Sequence, residues 1–301
     1  MKLLHIATER GLFTALCRNR RWRLHATPFL GEEIRALCPA PAGELLVARA
    51  GRGLWQGLGE HWQALPAPAD DLALLCRHGD ALWAADGQAG LWRRDGDGPW
   101  RGLAAPGAGR LLALSPAVDH LLAVDGDGRL FRAARDGDDW RPVALSAAVR
   151  RLARCAGQPA RLWAHTDRGL YRSDDDGLSW QAVAGPHGPL YGHGLAVHPD
   201  DPGTLWCVPD EDATRHLVRE QRLAVWRSVN GGQRFTVQDR GLPEETVYDR
   251  VDRHGLAIDA SGRHLALATT TGGVWLSDDL GGHWQCLSRH LPALRGLCFT
   301  G

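Results

Sequence analysis

The sequence predicts an all-β fold, a seven-bladed β-propeller built from four-stranded antiparallel blades. A three-residue step that ends in an aromatic residue occurs seven times, with 37 to 55 residues between successive aromatics, and periods near 40 are typical of propeller blades. A second aromatic residue follows each step, nine residues later in five of the seven units. Short apolar runs alternate with Gly, Asp, Asn and Pro turns, and no stretch shows a convincing helical period.

The repeated step is predicted to lie in the third strand of each blade. The seven steps are Gly11-Leu12-Phe13, Gly53-Leu54-Trp55, Gly90-Leu91-Trp92, Arg129-Leu130-Phe131, Gly169-Leu170-Tyr171, Ala224-Val225-Trp226 and Gly273-Val274-Trp275. The second aromatic residue opens the fourth strand, at Trp22, Trp62, Trp100, Trp140, Trp180, Phe235 and Trp284. Two apolar segments precede each step and supply the first two strands, as residues 34–38 and 44–48 do ahead of Gly53.

The two chain ends are predicted to share one blade. The first unit begins at its second strand, residues 3–8, and the C-terminal segment 294–299 matches the missing innermost strand. Pairing of these segments closes the ring without an exposed inner edge. We therefore expect one domain over residues 1–301, with blades at about 293–301 plus 1–27, 32–66, 70–104, 109–145, 149–184, 191–238 and 252–288.

Composition argues against several classes of partner. Lys+Arg and Asp+Glu both number 35 in 301 residues, so no net field attracts nucleic acid or an anionic membrane. No apolar run is long enough to span a membrane, and the N-terminal residues lack the apolar region and cleavage site of a signal peptide. The seven cysteines lie in apolar strand patterns, which suits reduced thiols. We expect a cytoplasmic monomer without a cofactor.

The turn between the third and fourth strands of unit five fits the pattern Ser-x-Asp-x-Gly-x-Ser/Thr-Trp. The residues that match are Ser173, Asp175, Gly177, Ser179 and Trp180. Unit seven matches through Ser277, Asp279, Gly281 and Trp284, with His283 in place of the hydroxyl residue, and unit six matches more loosely through Ser228, Asn230, Gly232 and Phe235. The pattern resembles the Asp-box, or BNR repeat, of sialidase-like propellers. That resemblance implies a structural turn rather than a catalytic role for these residues.

Two further segments, 192–202 and 248–257, resemble bacterial WD40/YVTN/BNR-like proteins. Proteins of that group are often described as glycosyl hydrolases or exo-sialidases by similarity. Such a description transfers poorly, because one fold carries many unrelated functions.

Loop lengths predict where a functional site would lie. In a propeller, the connections between blades and the loops between second and third strands share one face. Blade 6 has the longest such loop, residues 209–222, and the connections 184–191 and 239–252 open onto the same face. Long loops on a rigid scaffold often carry function, so we expect the site near blades 6, 7 and 1.

Polar residues near the starts of the inner strands predict a charged channel mouth. Counting back five residues from a shared strand-end position gives Glu33, Asp71, Arg110, Arg150, His193, His254 and Ala293. This predicts an acidic arc at blades 2 and 3 and a basic arc at blades 4 to 7, which Arg35, Arg253 and Arg295 extend. Arginine offers a planar donor fork to carboxylate or phosphate, so the basic arc suits an anionic ligand. The predicted ligand-binding residues are Arg35, His193, Arg253, His254 and Arg295; the alternative is a rim of solvated charges.

The shared strand-end position itself holds potential metal ligands. These residues are Cys38, Cys76, Cys155, His198, Asp259 and Cys298, with Ser115 in the remaining blade. Cysteine also serves as a small buried hydrophobe, and no close-spaced CxxC or HxxxH pair supports coordination. We therefore expect no metal here.

Two functions from different classes remain open. A sialidase-like exo-glycosidase would use Tyr248 or Tyr191 as nucleophile and Asp249 or Asp71 as acid, with its base among Glu32, Glu33, Glu211 and Glu220. No spacing singles out a complete catalytic set, and the N-terminal arginine motif of sialidases is absent. The favoured hypothesis is a non-catalytic propeller that binds a protein partner or a small anionic ligand on the long-loop face.

Overall fold

The computed structural model describes residues 2–19, 21–107, 109–215 and 217–301. Its strands, in chain order, are β1 (Lys2–Thr8), β2 (Gly11–Arg18), β3 (Arg21–Ala26), β4 (Ile34–Pro39), β5 (Leu45–Arg49), β6 (Gly53–Leu58), β7 (His61–Leu65), β8 (Leu72–His78), β9 (Ala81–Asp86), β10 (Leu91–Asp95), β11 (Arg101–Leu103), β12 (Leu111–Pro116), β13 (His120–Asp125), β14 (Leu130–Ala134), β15 (Arg141–Pro142), β16 (Val149–Arg154), β17 (Leu162–Thr166), β18 (Gly169–Ser173), β19 (Gln181–Gly185), β20 (Gly188–Pro189), β21 (Gly192–Val197), β22 (Leu205–Pro209), β23 (Val225–Ser228), β24 (Thr236–Gln238), β25 (Leu256–Ile258), β26 (Leu265–Ala268), β27 (Val274–Ser277), β28 (Gln285–Ser288) and β29 (Leu294–Thr300). Short 3-10 helices cover Pro41–Gly43 and Arg219–Gln221. No helix among the described residues has the length and apolarity needed to cross a membrane.

These strands form seven antiparallel sheets, which are the blades of a propeller, as the sequence predicts. The blades, each given from its inner to its outer strand, are β29-β1-β2-β3, β4 to β7, β8 to β11, β12 to β15, β16 to β20, β21 to β24 and β25 to β28. The inner strands contact one another in a closed ring, from β29 through β4, β8, β12, β16, β21 and β25 back to β29. Blade 5 carries β20 as a short fifth strand at its outer edge.

The C-terminal strand closes the ring, which confirms the predicted pairing of the two chain ends. Strand β29 pairs antiparallel with β1, so that His5 lies opposite Cys298. The buried His5 ring bridges two threonines, with Nδ1 at 3.1 Å from Thr14 Oγ1 and Nε2 at 2.9 Å from Thr300 Oγ1. Burial lowers the pKa of His5 to about 4, so the ring is neutral at physiological pH.

The Asp-box turns are built by hydrogen bonds within each turn. In blade 5, Asp175 Oδ1 accepts from the Ser173 hydroxyl at 2.8 Å and from the Ser179 N–H at 2.9 Å. The Gly177 N–H donates to Ser173 Oγ, and the Trp180 indole N–H donates to the Gly177 carbonyl. Blades 6 and 7 repeat the Ser-to-Asn or Ser-to-Asp and Gly-to-Ser bonds. These turns lie on the face opposite the connections between blades and hold the ends of the outer strands together.

Candidate functional site

Six of the seven inner strands contain a β-bulge near their first residue. The pairing register shifts by one residue at Ile34/Ala36, Leu72/Leu74, Leu111/Ala113, Val149/Arg151, Gly192/Gly194 and, in blade 1, opposite Ala7/Thr8. A bulge leaves one residue unpaired and turns its side chain in a new direction. The unpaired residues and their counterpart in blade 7 form what we call the mouth ring, which consists of Arg295, Arg35, Ala73, Leu112, Arg150, His193 and His254 in blades 1 to 7.

The strand pairing corrects the alignment made from sequence. Equivalent residues of the second strands pair with Cys38 in blade 2 and Cys76 in blade 3, but with Ala153 in blade 5 and Ala196 in blade 6. The shared strand-end position predicted from the sequence is therefore displaced by two residues in blades 5 to 7, because the turns between first and second strands differ in length between blades. Seven residues separate the paired Arg154 and Leu162, for example, whereas two residues separate the paired ends in blade 3.

The acidic arc predicted at blades 2 and 3 is present, but it is already neutralised. Arg35 Nη1 lies 2.6 Å from Asp71 Oδ2, and its Nε lies 3.6 Å from Glu33 Oε2. Arg295 pairs with Glu33 at 3.0 Å and with Glu9 at 2.7 Å. Their guanidinium groups are thus engaged in an ion-pair network that joins blades 1, 2 and 3. A ligand role for Arg35 and Arg295 remains a prediction that requires these pairs to open.

On the other side of the mouth, arginines lie without counter-charges. Arg110, Arg150 and Arg253, here called the arginine arc, and Arg151 beneath them have no carboxylate oxygen within 4.0 Å in the part of the chain that the structure describes. Arg253 crosses the mouth from the connection between blades 6 and 7, because its Nη1 lies 3.5 Å from the Leu112 carbonyl in blade 4. This side of the mouth is therefore positively charged.

The groups around Arg253 show the same excess of positive charge. Burial lowers the pKa of Arg253; the Asp252 carboxylate opposes this effect, whereas Arg110, Arg150 and Arg250 add to it. Burial also disfavours the charged form of Asp252, but the Arg253 N–H and the charges of Arg253 and Arg250 outweigh it and lower the pKa of Asp252. The Asp252 carboxylate thus offsets part of the positive charge of both Arg250 and Arg253.

Beneath this mouth, Arg151 and His254 meet inside the channel. Arg151 Nη1 donates to His254 Nδ1 over 3.3 Å. Burial, followed by the charges of Arg151 and Arg253, lowers the pKa of His254 to about 3, so its ring is neutral and carries its proton on Nε2. Burial lowers the pKa of Arg151 to about 10, with a further contribution from Arg253, and the guanidinium remains charged at neutral pH. Arg151 Nε is buried and has no hydrogen-bond partner.

His193 is held by the blade 6 loop. Its Nδ1 lies 3.1 Å from Oδ2 of the buried Asp210, and the Asp210 N–H donates to the Tyr191 carbonyl. Beneath it, burial lowers the pKa of His165 to about 3, and neither ring nitrogen of that residue has a hydrogen-bond partner. His193 is therefore positioned as a fixed part of the mouth wall.

The long loop of blade 6 and the connection to blade 7 pack together into what we call the ridge, residues 210–215, 217–222 and 239–252. Val218 and Val251 are buried in one apolar cluster, against which Val247 packs. The Val247 N–H donates to the Gln221 carbonyl at 2.7 Å and thereby links the two segments. Tyr248 stands out from the ridge with 75% of its surface exposed. His216 lies outside the described residues.

Of the residues proposed for glycoside hydrolysis, Asp249 has other hydrogen-bond partners. Asp249 accepts hydrogen bonds from the hydroxyls of Thr270 and Thr271 and from the Arg250 N–H, so it tethers the ridge to the turn after β26. No hydrogen bond connects Asp249 with Tyr191 or Tyr248 in the described parts of the chain. A catalytic role for these three residues stays a prediction.

The potential metal ligands, at which no metal is expected, do not share one strand position. Cys155, His198 and Asp259 each follow the last residue of their inner strand, whereas Cys38, Cys76 and Cys298 lie within theirs. Cys38, Cys76, Cys155, Cys207, Cys286 and Cys298 are free thiols, and burial raises the pKa of Cys38 to about 12. Within the described ranges, one group of three potential ligands has its atoms within 4.8 Å: Asp119, His120 and Asp176. The Arg154 guanidinium contacts both His120 and Asp176 and supplies the positive charge of that group.

Comparison with known proteins supports the architecture. No family model matches the chain, and no curated protein sequence matches it. Among solved structures, Ycf48 bound to a D1 peptide is 14% identical, with a TM-score of 0.65 over 91% of this chain and 89% of that chain. Ycf48 from Cyanidioschyzon merolae has the same score and identity over 91% of both chains.

Two further structures extend the comparison. An ancestral GH74 enzyme is 16% identical, with a TM-score of 0.61 over 84% of this chain and 38% of that chain. A protein from Lactobacillus plantarum is 12% identical, with a TM-score of 0.67 over 99% of this chain and 98% of that chain. At these identities the likeness shows the propeller fold alone. It assigns no site.

Proposed function

We propose that the chain is a non-catalytic binding propeller that receives an acidic segment of a protein partner at the arginine arc. The observation that carries this proposal is the unequal distribution of counter-charges around the mouth. Arg35 and Arg295 are paired with carboxylates, whereas Arg110, Arg150 and Arg253 are not. Arginines without counter-charges, set in a partly desolvated mouth, favour an incoming carboxylate because each can donate two parallel hydrogen bonds.

The ridge supports a protein partner rather than a free ion. It stands on the same face as the arginine arc and is held by its own apolar core and by Asp249, so it presents a firm wall. Tyr248 offers a large exposed surface with a polar tip, and tyrosine is enriched at protein interfaces. An extended acidic segment that lay against this wall would reach Arg253 and Arg150.

The comparison with Ycf48 bound to a D1 peptide gives independent support. It is an example in which a propeller of this kind takes a peptide as its ligand. At 14% identity no binding residue transfers, so the arginine arc rests on the charges of this chain alone.

The alternative function is exo-glycosidase activity on the same face. Glycosidases generally need two carboxylic groups at a defined separation, one of them as an acid. Asp249 is committed to two threonine hydroxyls, and Asp71 is paired with Arg35. The matching GH74 enzyme is more than twice as long as the matched region. No observation favours hydrolysis over binding.

A cross-linking experiment tests the proposal. A photoreactive phenylalanine analogue replaces Tyr248 in the full chain, which is expressed in cells of its own source and irradiated. We expect a discrete adduct whose yield falls at least about tenfold in Arg150→Glu and Arg253→Glu, since like charges at an interface repel. Arg141→Glu is the control, because that arginine is exposed on the outer strand β15.

Two results would overturn the proposal. One is an adduct whose yield is the same in the charge-reversal variants and in the control. The other is cleavage of a sialoside or another glycoside by the purified protein that Asp249→Asn or Tyr248→Phe abolishes, which would establish the alternative instead.

A further inference from the structure

The central channel contains a cavity of about 520 Å³, a volume within the range of small-molecule sites. Its outer end opens on the face opposite the mouth ring. It lies there among the turns between the first and second strands of the blades, where Val118 is exposed. Its inner end is bounded by Arg151 and His254. The half-buried side chains of Leu114, Ile258 and Leu297 belong to the walls. The cavity therefore combines apolar walls with a polar inner end.

The charges of this cavity all have one sign. Arg77, Arg151 and Arg154 contribute to the lining, and no Asp or Glu does so among the described residues. Two of these arginines have partners, since Arg154 pairs with Asp176 and Arg77 Nε donates to the Gly79 carbonyl. Arg151 is the exception, because its one hydrogen bond to a described residue goes to the neutral imidazole of His254.

An unpaired charge in such a position is costly for the protein. A buried ion without a counter-charge loses its hydration and gains no ion pair in return. Nη1 of Arg151 is engaged with His254, whereas Nε is buried without a partner. The Nε and Nη2 edge of the guanidinium is the edge that binds a carboxylate through two parallel hydrogen bonds.

We propose that the channel cavity binds a small organic anion, a monocarboxylate with an apolar body. Its carboxylate pairs with Arg151, the Nε2–H of His254 supplies a further donor, and the apolar body lies against Leu114, Ile258 and Leu297. The apolar walls favour this class over an inorganic anion, which would leave them in contact with water. The proposal is separate from the partner site at the mouth, because it uses the interior of the channel and the opposite opening.

Calorimetric titration of the full-length protein at pH 7.5 tests this assignment. The probes are hexanoate, octanoate and decanoate below their aggregation concentrations, with decanamide and decyltrimethylammonium as controls for charge. We expect the affinity to rise about three- to fourfold for each added methylene group. Decanamide is expected to bind at least about tenfold more weakly than decanoate, and the cation is expected not to bind.

Variants connect the binding to Arg151. Arg151→Met is expected to weaken decanoate binding by about 10- to 100-fold, since it removes a charged hydrogen-bond donor. Arg151→Lys keeps the positive charge but cannot donate two parallel hydrogen bonds to a carboxylate, so we expect an intermediate loss of decanoate affinity. Arg141→Met, on the exposed outer strand β15, is the matched control and leaves the affinity unchanged. Circular dichroism verifies that each variant is folded.

The proposal is wrong if decanoate binds equally to the Arg151→Met variant and to the wild type, or if no carboxylate binds at millimolar concentration. Equal affinity for decanamide would show that the walls bind without the arginine, and would also overturn it. Inorganic phosphate that bound as tightly as decanoate would assign the cavity to a different class of anion.

Discussion

Replacement of Arg151 by methionine should stabilise the ligand-free protein. Burial lowers the pKa of Arg151 to about 10 in the folded state, well below the ordinary value of an arginine. A difference of about 2.5 pKa units corresponds to about 3 kcal/mol of opposition to folding. This value is an upper limit, because the side chain is only half-buried and solvent screens a partly exposed charge. The lost hydrogen bond to His254 costs about 1 kcal/mol, which leaves a net gain of about 1–2 kcal/mol.

Urea unfolding at pH 7.5 measures this gain, and a thermal scan should show a rise in Tm of about 2–3 °C. The lowered pKa of Arg151 also determines how its cost to stability depends on pH. The folded-state pKa is the lower one, so the penalty is complete below about pH 10 and is relieved only as the pH rises from there toward the ordinary pKa of arginine. Arg77→Met is the matched control and should change stability by less than about 1 kcal/mol. An Arg151→Met variant that is less stable than the wild type would refute the argument, since it would mean that the charge is compensated in the ligand-free channel.

Three further predictions concern the closure of the ring and the ridge. Asp259→Asn should cost about 3 kcal/mol, because the buried carboxylate pairs with Lys2 at 2.7 Å. Burial opposes ionisation of Asp259, but Lys2 and neighbouring donors outweigh it and lower its pKa, so the difference from wild type in urea unfolding should shrink as the pH falls below about 4. The neutral, buried His5 opposes its own protonation, so this residue alone should cost the wild type up to about 3 kcal/mol as the pH falls from 6.5 to about 4. His5→Gln should reduce that slope without abolishing it, because His165 and His254 also have lowered pKa values. Asp249→Ala should release the ridge and raise hydrogen exchange of the Val247 amide at least about tenfold, whereas unchanged exchange would show that the tether is not needed.

The sequence alone was sufficient to predict the fold, because the aromatic repeat and the turn residues act locally. Each step and its following aromatic mark one hairpin, and seven hairpins of similar spacing leave few architectures open. The closing pair of β1 and β29 was predictable too, since one unit lacked its inner strand and the C-terminus supplied one.

The charged mouth could be predicted only in part. The two arcs follow from residue type, but the pairs that neutralise Arg35 and Arg295 depend on neighbouring blades that are distant in sequence. Arg151 was missed altogether. It follows Arg150 directly, and the bulge that leaves Arg150 unpaired and returns Arg151 to the strand pairing has no local sequence signature. The doublet itself, two arginines in the first half of an inner strand, was the one available signal.

The mouth ring shows how a regular scaffold acquires one asymmetric site. Its bulges give the side chains in six blades the same position, so backbone geometry alone does not distinguish Arg295 from Arg150. The distinction lies in the acids nearby. Where Glu9, Glu33 and Asp71 are present, the ring arginines form ion pairs that join neighbouring blades. Where such acids are missing, the ring arginine has no ion pair among the described residues, and this half of the ring is the one beside the ridge. Placing a carboxylate beside Arg150 from within the chain should therefore create a second ion pair at the mouth, with a gain in stability and, if the proposed function is correct, a loss of partner binding.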